Sequence, residues 1–545
     1  MRIRLLNHEM SSVHAAAFLL GAAGLLSRLI GVMRDRLLAL HFGAGRELDI
    51  YYAAFQIPDL LSVLFLLGAG SAAILPIFQE YLARDRAQAQ KLISQISTFF
   101  LLGALGGSGL VFVLAPGLAR LFVPGFSSAD QALTVTLMRI MLCSPILFGL
   151  SGIFSAVIQS FERFIAYALA PVLYNLGIIA GILFFAPVMG TVGLAIGVVL
   201  GAWLHLTIQY VSLVSLGFSP RLMFGPIDHG IKKIMALSAP RVLSLSFTQL
   251  TVLALTGLAS LLATGSISIF QFAQNLYFVP VGVFGISYSV ALFPRLNAAY
   301  IERNPDRFFE EFFLGLRSIL FWTVPSAVLF FVLRVEIVQV ALGGRAFSWE
   351  SVQRTAACLG VLAIAIVAAA LMPHLVKSFY ALENTRVPLL MDMSGSVVSV
   401  VLAFFFMKLI SPPVLGIALG FSLGLGVNTL LLYMVLMPFA ARVFGKKEGF
   451  SAHGRSAVGR PVLKIIIASL VAGVAAYAVR LLFFQDLLRG QILPIFAYGL
   501  LAGIIGIIAY LGLLLLFKSE DADLLCQSLS KRYRLYALDK GNKCS

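Results

Sequence analysis

Long apolar runs follow one another along almost the whole of this chain, and no other property narrows its fold so sharply. Bounded by Gly, Pro or charge, they read as fourteen helical spans, at 13–40, 47–78, 92–118, 131–160, 165–186, 190–216, 231–263, 266–299, 308–334, 352–380, 386–410, 413–441, 461–484 and 491–517. A helix needs roughly 20 apolar residues to cross a bilayer core, where each backbone group must be satisfied within its own segment. Spans 1, 2, 7 and 8 exceed that length, as helices that tilt, kink or line a cavity do. Of 545 residues, 12 % are charged and 60 % hydrophobic, and the mean hydropathy is +0.97. An average soluble domain carries about 25 % charge. The composition excludes a water-soluble body, a disordered chain and a disulfide scaffold. The expected fold is an all-α polytopic membrane protein with about 14 transmembrane helices.

The remaining charge is basic, with a net of +16. No basic block is long or aromatic-interleaved enough for nucleic acid. The positive-inside bias explains the excess instead. An even span count puts both termini on one side. With the N-terminus in the cytoplasm, 26 Lys or Arg fall in cytoplasmic segments and seven (Arg46, Arg120, Arg334, Arg345, Arg354, Arg480 and Arg489) in outside loops. The apolar run from Ala15 has no clear small-residue cleavage site and reads as an uncleaved first helix. Cys143, Cys358, Cys526 and Cys544 lack ligand spacing, so neither a disulfide nor a metal site is expected.

A faint internal repeat divides the spans. Pro76-x4-Tyr81-x2-Arg84 closes span 2, and Pro294-x5-Tyr300-x2-Arg303 closes span 8. Repeated halves are a common plan of transporters with a site at the repeat interface. The domain reading is an N-lobe at 1–225, a C-lobe at 226–445, a cytoplasmic linker at 446–460, two C-terminal helices within 461–517, and a basic cytoplasmic tail at 518–545.

Charges inside spans carry the functional argument, because each costs about 2.5–3.5 kcal/mol at mid-bilayer on insertion scales. Arg28 and Arg34 of span 1 are six residues apart, which separates them by about 120° and 9 Å on a helix. They fit a wide cavity for a large anion, or structural neutralisation by Asp35 and nearby carboxylates. Asp59 in span 2 is the expected partner of either arginine, and Pro58 before it favours a kink or hinge. Span 7 holds Arg241 with Ser244, Ser246, Thr248 and Gln249; span 8 holds Gln271, Gln274, Asn275 and Tyr277. These polar faces read as lining water or protein. Asp392 in span 11 either binds a cation or proton or, the favoured reading, pairs with Arg241. Arg36, Arg139, Arg317 and Lys408 lie near span ends and can snorkel. His205 and His374 lack ligand spacing and read as packed polar residues. There is no phosphate loop, nucleophile elbow, metal motif or catalytic carboxylate cluster.

Ser27-Arg28-Leu29-Ile30-Gly31, Arg34-Asp35, Phe42-Gly43-Ala44-Gly45 and Asp49 together resemble the signature of the MurJ/MviN lipid II flippases. Ala54-Phe55-Gln56-Ile57-Pro58-Asp59-Leu60-Leu61 and Gly68-Ala69 through Ile74-Leu75-Pro76 continue it, with weaker echoes at Ala170-Pro171 through Asn175 and at Phe293-Pro294. That family belongs to the multidrug/oligosaccharidyl-lipid/polysaccharide exporter superfamily. The resemblance implies two six-helix lobes around a central cavity plus two C-terminal helices. It implies a transporter and not an enzyme, in the bacterial cytoplasmic (inner) membrane, carrying undecaprenyl-diphosphate-linked peptidoglycan precursor from inner to outer leaflet. By position, Arg28 and Arg34 match the family's head-group arginines, and Asp49 matches its acid. Three departures stand out. Ser62 and Val63 occupy positions where the family usually has arginines, Asn275 another such position, and Leu67 the position of an acid. Arg241 across the same cavity is a candidate replacement for the lost span 8 charge.

The expected substrate-binding set is therefore Arg28, Arg34, Arg241, Gln274 and Asn275, with Asp35, Asp49, Pro58 and Asp59 structural or gating. No cofactor is expected; monovalent cation coupling and the membrane potential are the candidate drives. The expected partners are lipid II or a related polyprenyl-diphosphate glycolipid, membrane lipids and cell-wall synthesis proteins, with a monomeric chain and no nucleic acid. Nearly apolar spans 13 and 14 are candidates for guiding the polyprenyl tail. The runner-up is a flippase for another lipid-linked oligosaccharide. A multidrug cation antiporter would need an acidic cavity, a lipid-linked-sugar enzyme a catalytic cluster, and a scaffold fully paired arginines.

Overall fold

The computed structural model describes residues 13–68, 71–226, 229–445, 452–482 and 492–519. Most of the tail 518–545, with Cys526 and Cys544, and the first part of the linker lie outside the described residues. Among the described residues every regular element is a helix. In chain order these are α1 (Val13–Phe42), α2 (Arg46–Gly68), α3 (Ser71–Arg84), α4 (Arg86–Phe122), α5 (Ser128–Met141), α6 (Cys143–Ser160), α7 (Ile165–Met189), α8 (Thr191–Ser215) and α9 (His229–Ser260). They continue as α10 (Ser266–Ile301), α11 (Pro305–Val332), α12 (Arg334–Leu342), α13 (Trp349–Ala381), α14 (Arg386–Leu409), α15 (Pro413–Val443), α16 (Ala452–Leu482) and α17 (Ile492–Leu516).

Each of the fourteen expected runs carries a helix, and twelve segments among the described residues are long and apolar enough to cross a membrane. The other two runs are α1, which carries Arg28, Arg34, Asp35 and Arg36, and α9, whose described apolar stretch is Ser246–Ser260. One expected span is broken. Span 4 is two helices, broken at Leu142, where Ser144 Oγ caps Met141 O at 2.7 Å. Pro145 then falls in the first turn of α6, where a missing N–H costs nothing. Span 12 starts where expected, on Pro413, the position proline's fixed φ favours.

Polar starts are explicit in the sequence. Asp85 accepts from Ala87 N at the head of α4, Ser127 and Asp130 form a capping box on α5, and Asn304 accepts from Arg307 N before Pro305 of α11. Two helices contain a π-helical turn, Gly181–Phe185 in α7 and Val281–Ile286 in α10.

The chain divides into two compact units, each discontinuous in sequence. One is Met1–Phe272, Ala341–Arg354 and Asp392–Gly424. Its core gathers Phe78, Phe161 and Phe218 in edge-to-face and tilted contact, with ring centroids 5.6–6.1 Å apart. Lipid tails give no hydrophobic drive for helix pairing, so close packing must supply it. In α7 and α8 it does: a Cβ on Gly177 would stand 2.2 Å from Gly201 Cα, and one on Gly181 2.6 Å from Gly197 Cα. Gly416, Gly420 and Gly424 of α15 approach α14 in the same way.

The other unit is Ala273–Val340, Thr355–Met391 and Leu425–Ser545. Its largest core joins Phe308, Phe309 and Phe312 of α11 to Phe379 of α13 and Leu432 and Leu436 of α15. His374 is fully buried there, stacked on Phe312 with its Nε2 2.9 Å from Phe312 O. In this unit α16 and α17 pack on α11, where Tyr510 donates to Phe321 O at 2.6 Å.

Replacing Gly181 by Leu should separate α7 from α8 and cost at least about 1–3 kcal/mol, the range for overpacking. Thermal unfolding in detergent should show a clear drop in midpoint, whereas Gly106→Leu, with open space around its Cα, should leave it unchanged.

Candidate functional site

In the first unit, the charged residues of α1 and α2 sort into three local sites. Arg34 heads the first. Its Nε and Nη2 donate to Asp35 Oδ1 at 3.0 and 2.7 Å, and its Nη1 donates to Asn175 Oδ1 of α7 at 3.1 Å. Asn175 Nδ2 in turn donates to Pro171 O and, at 3.4 Å, to Ser27 Oγ. The side chains of Arg34 and Asp35 are 22 % and 7 % exposed, so the pair is largely desolvated. Tyr51 and Tyr52 of α2 are buried within electrostatic range, and Tyr52 OH has no hydrogen-bond partner among the described residues. Arg34's carboxylate is thus its sequence neighbour Asp35 and not Asp59. Arg28 is half-buried on the same helix and is itself engaged by a neighbouring group.

Asp49 forms the second site. Its Oδ2 accepts from Gly265 N at 2.6 Å, and its Oδ1 accepts from Ser268 N at 2.8 Å and Ser268 Oγ at 2.6 Å. A carboxylate of α2 therefore caps the start of α10, satisfying amides that have no partner in their own helix and meeting the positive end of its dipole. The corner is tight. Gly43 and Gly265 have φ of +62° and +89°, and a Cβ on either would stand 2.3 Å from a carbonyl oxygen, of Ala346 and Ala44 respectively. The Phe42-Gly43-Ala44-Gly45 and Asp49 motif is the joint between the α1–α2 corner and the head of α10.

The third site is Asp59, whose Oδ2 accepts from Gln249 Nε2 of α9 at 2.5 Å. Pro58 lies inside α2, which continues through it, and Ser62 is buried and donates to Pro58 O at 2.8 Å. Where relatives are expected to carry a cation, this chain has a neutral side chain tied to its own helix.

Asp392 is 6 % exposed and has a partner. One turn on, Ser396 donates to Phe247 O of α9 at 3.3 Å, so this face of α14 meets α9. The expected partner, Arg241, is in α9, but its side chain lies outside the described residues. Gln274 and Asn275 belong to the second unit, where Gln274 is buried and Asn275 half-buried and engaged. Arg139 and Lys408 rest on the rings of Phe112 and Phe404, 4.6 and 4.0 Å from the centroids.

Sequence reasoning missed the partners more than the charges. Asn175, Tyr51, Tyr52, Gly265 and Ser268 stand 17 to 219 positions from the residues they serve, and no spacing rule links them. Arg480, counted with the outside loops, lies in the last turn of α16 with its Nε 2.7 Å from buried Glu336.

Helices of spanning length with charged and amide side chains sequestered among them define a polytopic membrane protein. The fold agrees. A multidrug resistance MATE family transporter of the MOP superfamily, in its inward-facing conformation, superposes with a TM-score of 0.65 at 17 % identity, over 77 % of this chain and 96 % of that one. A lipid II flippase MurJ in an inward closed conformation superposes with a TM-score of 0.74 at 24 % identity, over 92 % and 98 %. The family described as lipid II flippase MurJ matches residues 38–498. Lipid II flippase MurJ of Burkholderia cenocepacia is 29 % identical over 429 residues, 76 % of this chain and 81 % of that protein. A probable lipid II flippase MurJ of Bdellovibrio bacteriovorus is 27 % identical over 95 % and 97 % of the two chains. The chain belongs to the MurJ lipid II flippase family.

Substituting Asp49 by Ala would strand two amides and a hydroxyl at the head of α10, at about 1–3 kcal/mol for each group left buried and unmet. Asp49→Asn keeps one acceptor. Thermal unfolding should rank the wild type above Asp49→Asn, and that above Asp49→Ala.

Proposed function

We propose that this protein moves lipid II, the undecaprenyl-diphosphate-linked peptidoglycan precursor, from the inner to the outer leaflet of the bacterial cytoplasmic membrane. The family match over residues 38–498 is the observation that carries this reading. The chain crosses the membrane fourteen times in it, with both termini cytoplasmic, and its halves rock to open a central cavity to each side in turn.

The diphosphate cannot enter hydrocarbon and needs a cationic, hydrated path. Arginine suits it through charge-assisted, bidentate bonds to phosphate oxygens. Arg28 takes the head group. Arg34 already directs three bonds to Asp35 and Asn175, so it is a held cation that shifts toward phosphate only as Asp35 lets go. Arg241 supplies the cation that Asn275 does not, and Gln274 and Asn275 donate neutral hydrogen bonds to the sugar-phosphate. The polyprenyl tail stays in lipid along the outer faces of α16 and α17, where Leu463, Leu500, Ile504 and Ile508 are exposed.

A leaflet-exposure assay for lipid II, in cells depleted of their own flippase and supplied with this chain, tests the reading. The wild type should restore exposure and Arg28→Ala should abolish it. Retained flipping in Arg241→Ala would sink the replacement role of that residue. Ser62, Val63 and Asn275, where arginines are expected, favour a second reading, in which the cargo is another lipid-linked oligosaccharide. Folded protein that leaves lipid II unexposed would favour it.

An inside-negative potential favours outward movement of an anion by about 2.3 kcal/mol per charge per 100 mV. Turnover should therefore fall when the potential alone is collapsed with ion gradients held, and should not need ATP. Unchanged turnover would mean that charge movement does not drive the cycle.

A further inference from the structure

A groove of about 440 Å³ opens among α11, α13 and α16, walled by Val328, Phe331, Ile364, Gly473, Val474 and Tyr477. Its α16 wall runs from Leu470 to Tyr477, about 10 Å of helix rise. That fits within one leaflet of a hydrocarbon core about 30 Å thick.

All three walls end at arginines. Arg334 follows α11 directly; its Nη1 donates to Phe331 O at 2.6 Å and its guanidinium carbon lies 5.0 Å from the Phe331 ring centroid. Its stem crosses Gly360 of α13, one turn before Ile364, where a Cβ would come within 2.8 Å of Arg334 Cδ. Arg480 lies one turn beyond Tyr477 on α16; its Nε is 2.7 Å from Glu336 Oε1 and its Nη1 3.4 Å from Val332 O. Glu336 is buried, pairs with Arg480 and, among the described residues, is the carboxylate whose charge reaches Arg334. Arg334 forms no ion pair among the described residues. Burial, and then repulsion by Arg480, lower its guanidinium from the ordinary value. Among the described residues this end of the groove thus sets two guanidiniums against one carboxylate, beside an apolar channel that fits within one leaflet.

We propose that the groove is a binding site for an anionic membrane phospholipid, with an acyl chain along α16 and the phosphate on Arg334, backed by Arg480. The channel's length matches part of an acyl chain and is far too short for a polyprenyl tail. The phosphate supplies the negative charge that Glu336 alone does not, with the planar fork of arginine as its donor. With the N-terminus cytoplasmic, the lipid belongs to the outer leaflet; only this assignment of leaflet rests on the topology proposed above.

The test is native mass spectrometry of the full chain released from nanodiscs that contain phosphatidylglycerol and a neutral diacylglycerol glycolipid with the same acyl chains. Phosphatidylglycerol should be retained at least about tenfold over the neutral lipid, the size expected for a hydrogen bond to a charged group. Arg334→Gln should remove that preference, and Val474→Trp, which fills the groove from an exposed position, should lose both lipids. Elution volume and melting temperature check that both variants are folded. Equal retention by wild type and Arg334→Gln, or displacement of phosphatidylglycerol by a polyprenyl diphosphate, would overturn the proposal. Transport is not read in this experiment, so its failure and that of lipid II flipping are separable.

Discussion

Hydrocarbon offers a buried charge neither water nor counter-ion, and the buried charges among the described residues are arranged around that fact. Arg34 is held by Asp35 and Asn175, Asp49 by three donors at the head of α10, Asp59 by Gln249, and Arg480 by Glu336. These arrangements differ in what they do. Asp49 accepts from two backbone amides and a hydroxyl, so its charge is neutralised by dipoles and fixes a corner. Arg34 and Asp35 are two opposite charges on one turn of one helix, so separating them costs little in backbone movement.

That difference orders the residues by how readily they are released. Removing one partner of a buried pair costs about 3–5 kcal/mol, because the other charge is left without compensation. In the proposed cycle an arriving diphosphate would replace the partner instead of removing it, and the cost would fall accordingly. Asp49 has no such exchange open to it, because its three donors sit in a closed corner where even a Cβ on Gly43 or Gly265 would meet a carbonyl oxygen. In that proposal the signature residues of α1 and α2 comprise an adjustable cation and a fixed joint, two parts that sequence similarity alone treats alike.

The fold was legible because span length and apolarity are local properties. The fourteen runs all carry helices, and the caps at Asp85, Ser127 and Asn304 stand in plain sequence. The charges that matter were legible too, since an arginine in an apolar run is conspicuous. Their partners were not. The sequence offered Arg34 both Asp35 and Asp59, and adjacent Asp35 takes the place. Asn175 is 141 positions away and neutral, and pairing of that kind is set by how α7 packs on α1. Arg480 looked like a loop charge because it sits at a span's end; Glu336, on the short helix α12 between two spans, draws it inward.

The π-helical turns at Gly181–Phe185 and Val281–Ile286 bear on how relatives are compared. A π turn is one residue inserted without lengthening the helix by a full step, so it rotates every later side chain by about 100°. A relative lacking that residue would show a single gap inside a membrane helix, where gaps are usually distrusted. Forcing such an alignment closed would assign Ala186 and its successors, or Ser287 and its successors, to the wrong helix face. Lipid-facing and protein-facing positions would then trade places on paper while the two molecules kept the same surface.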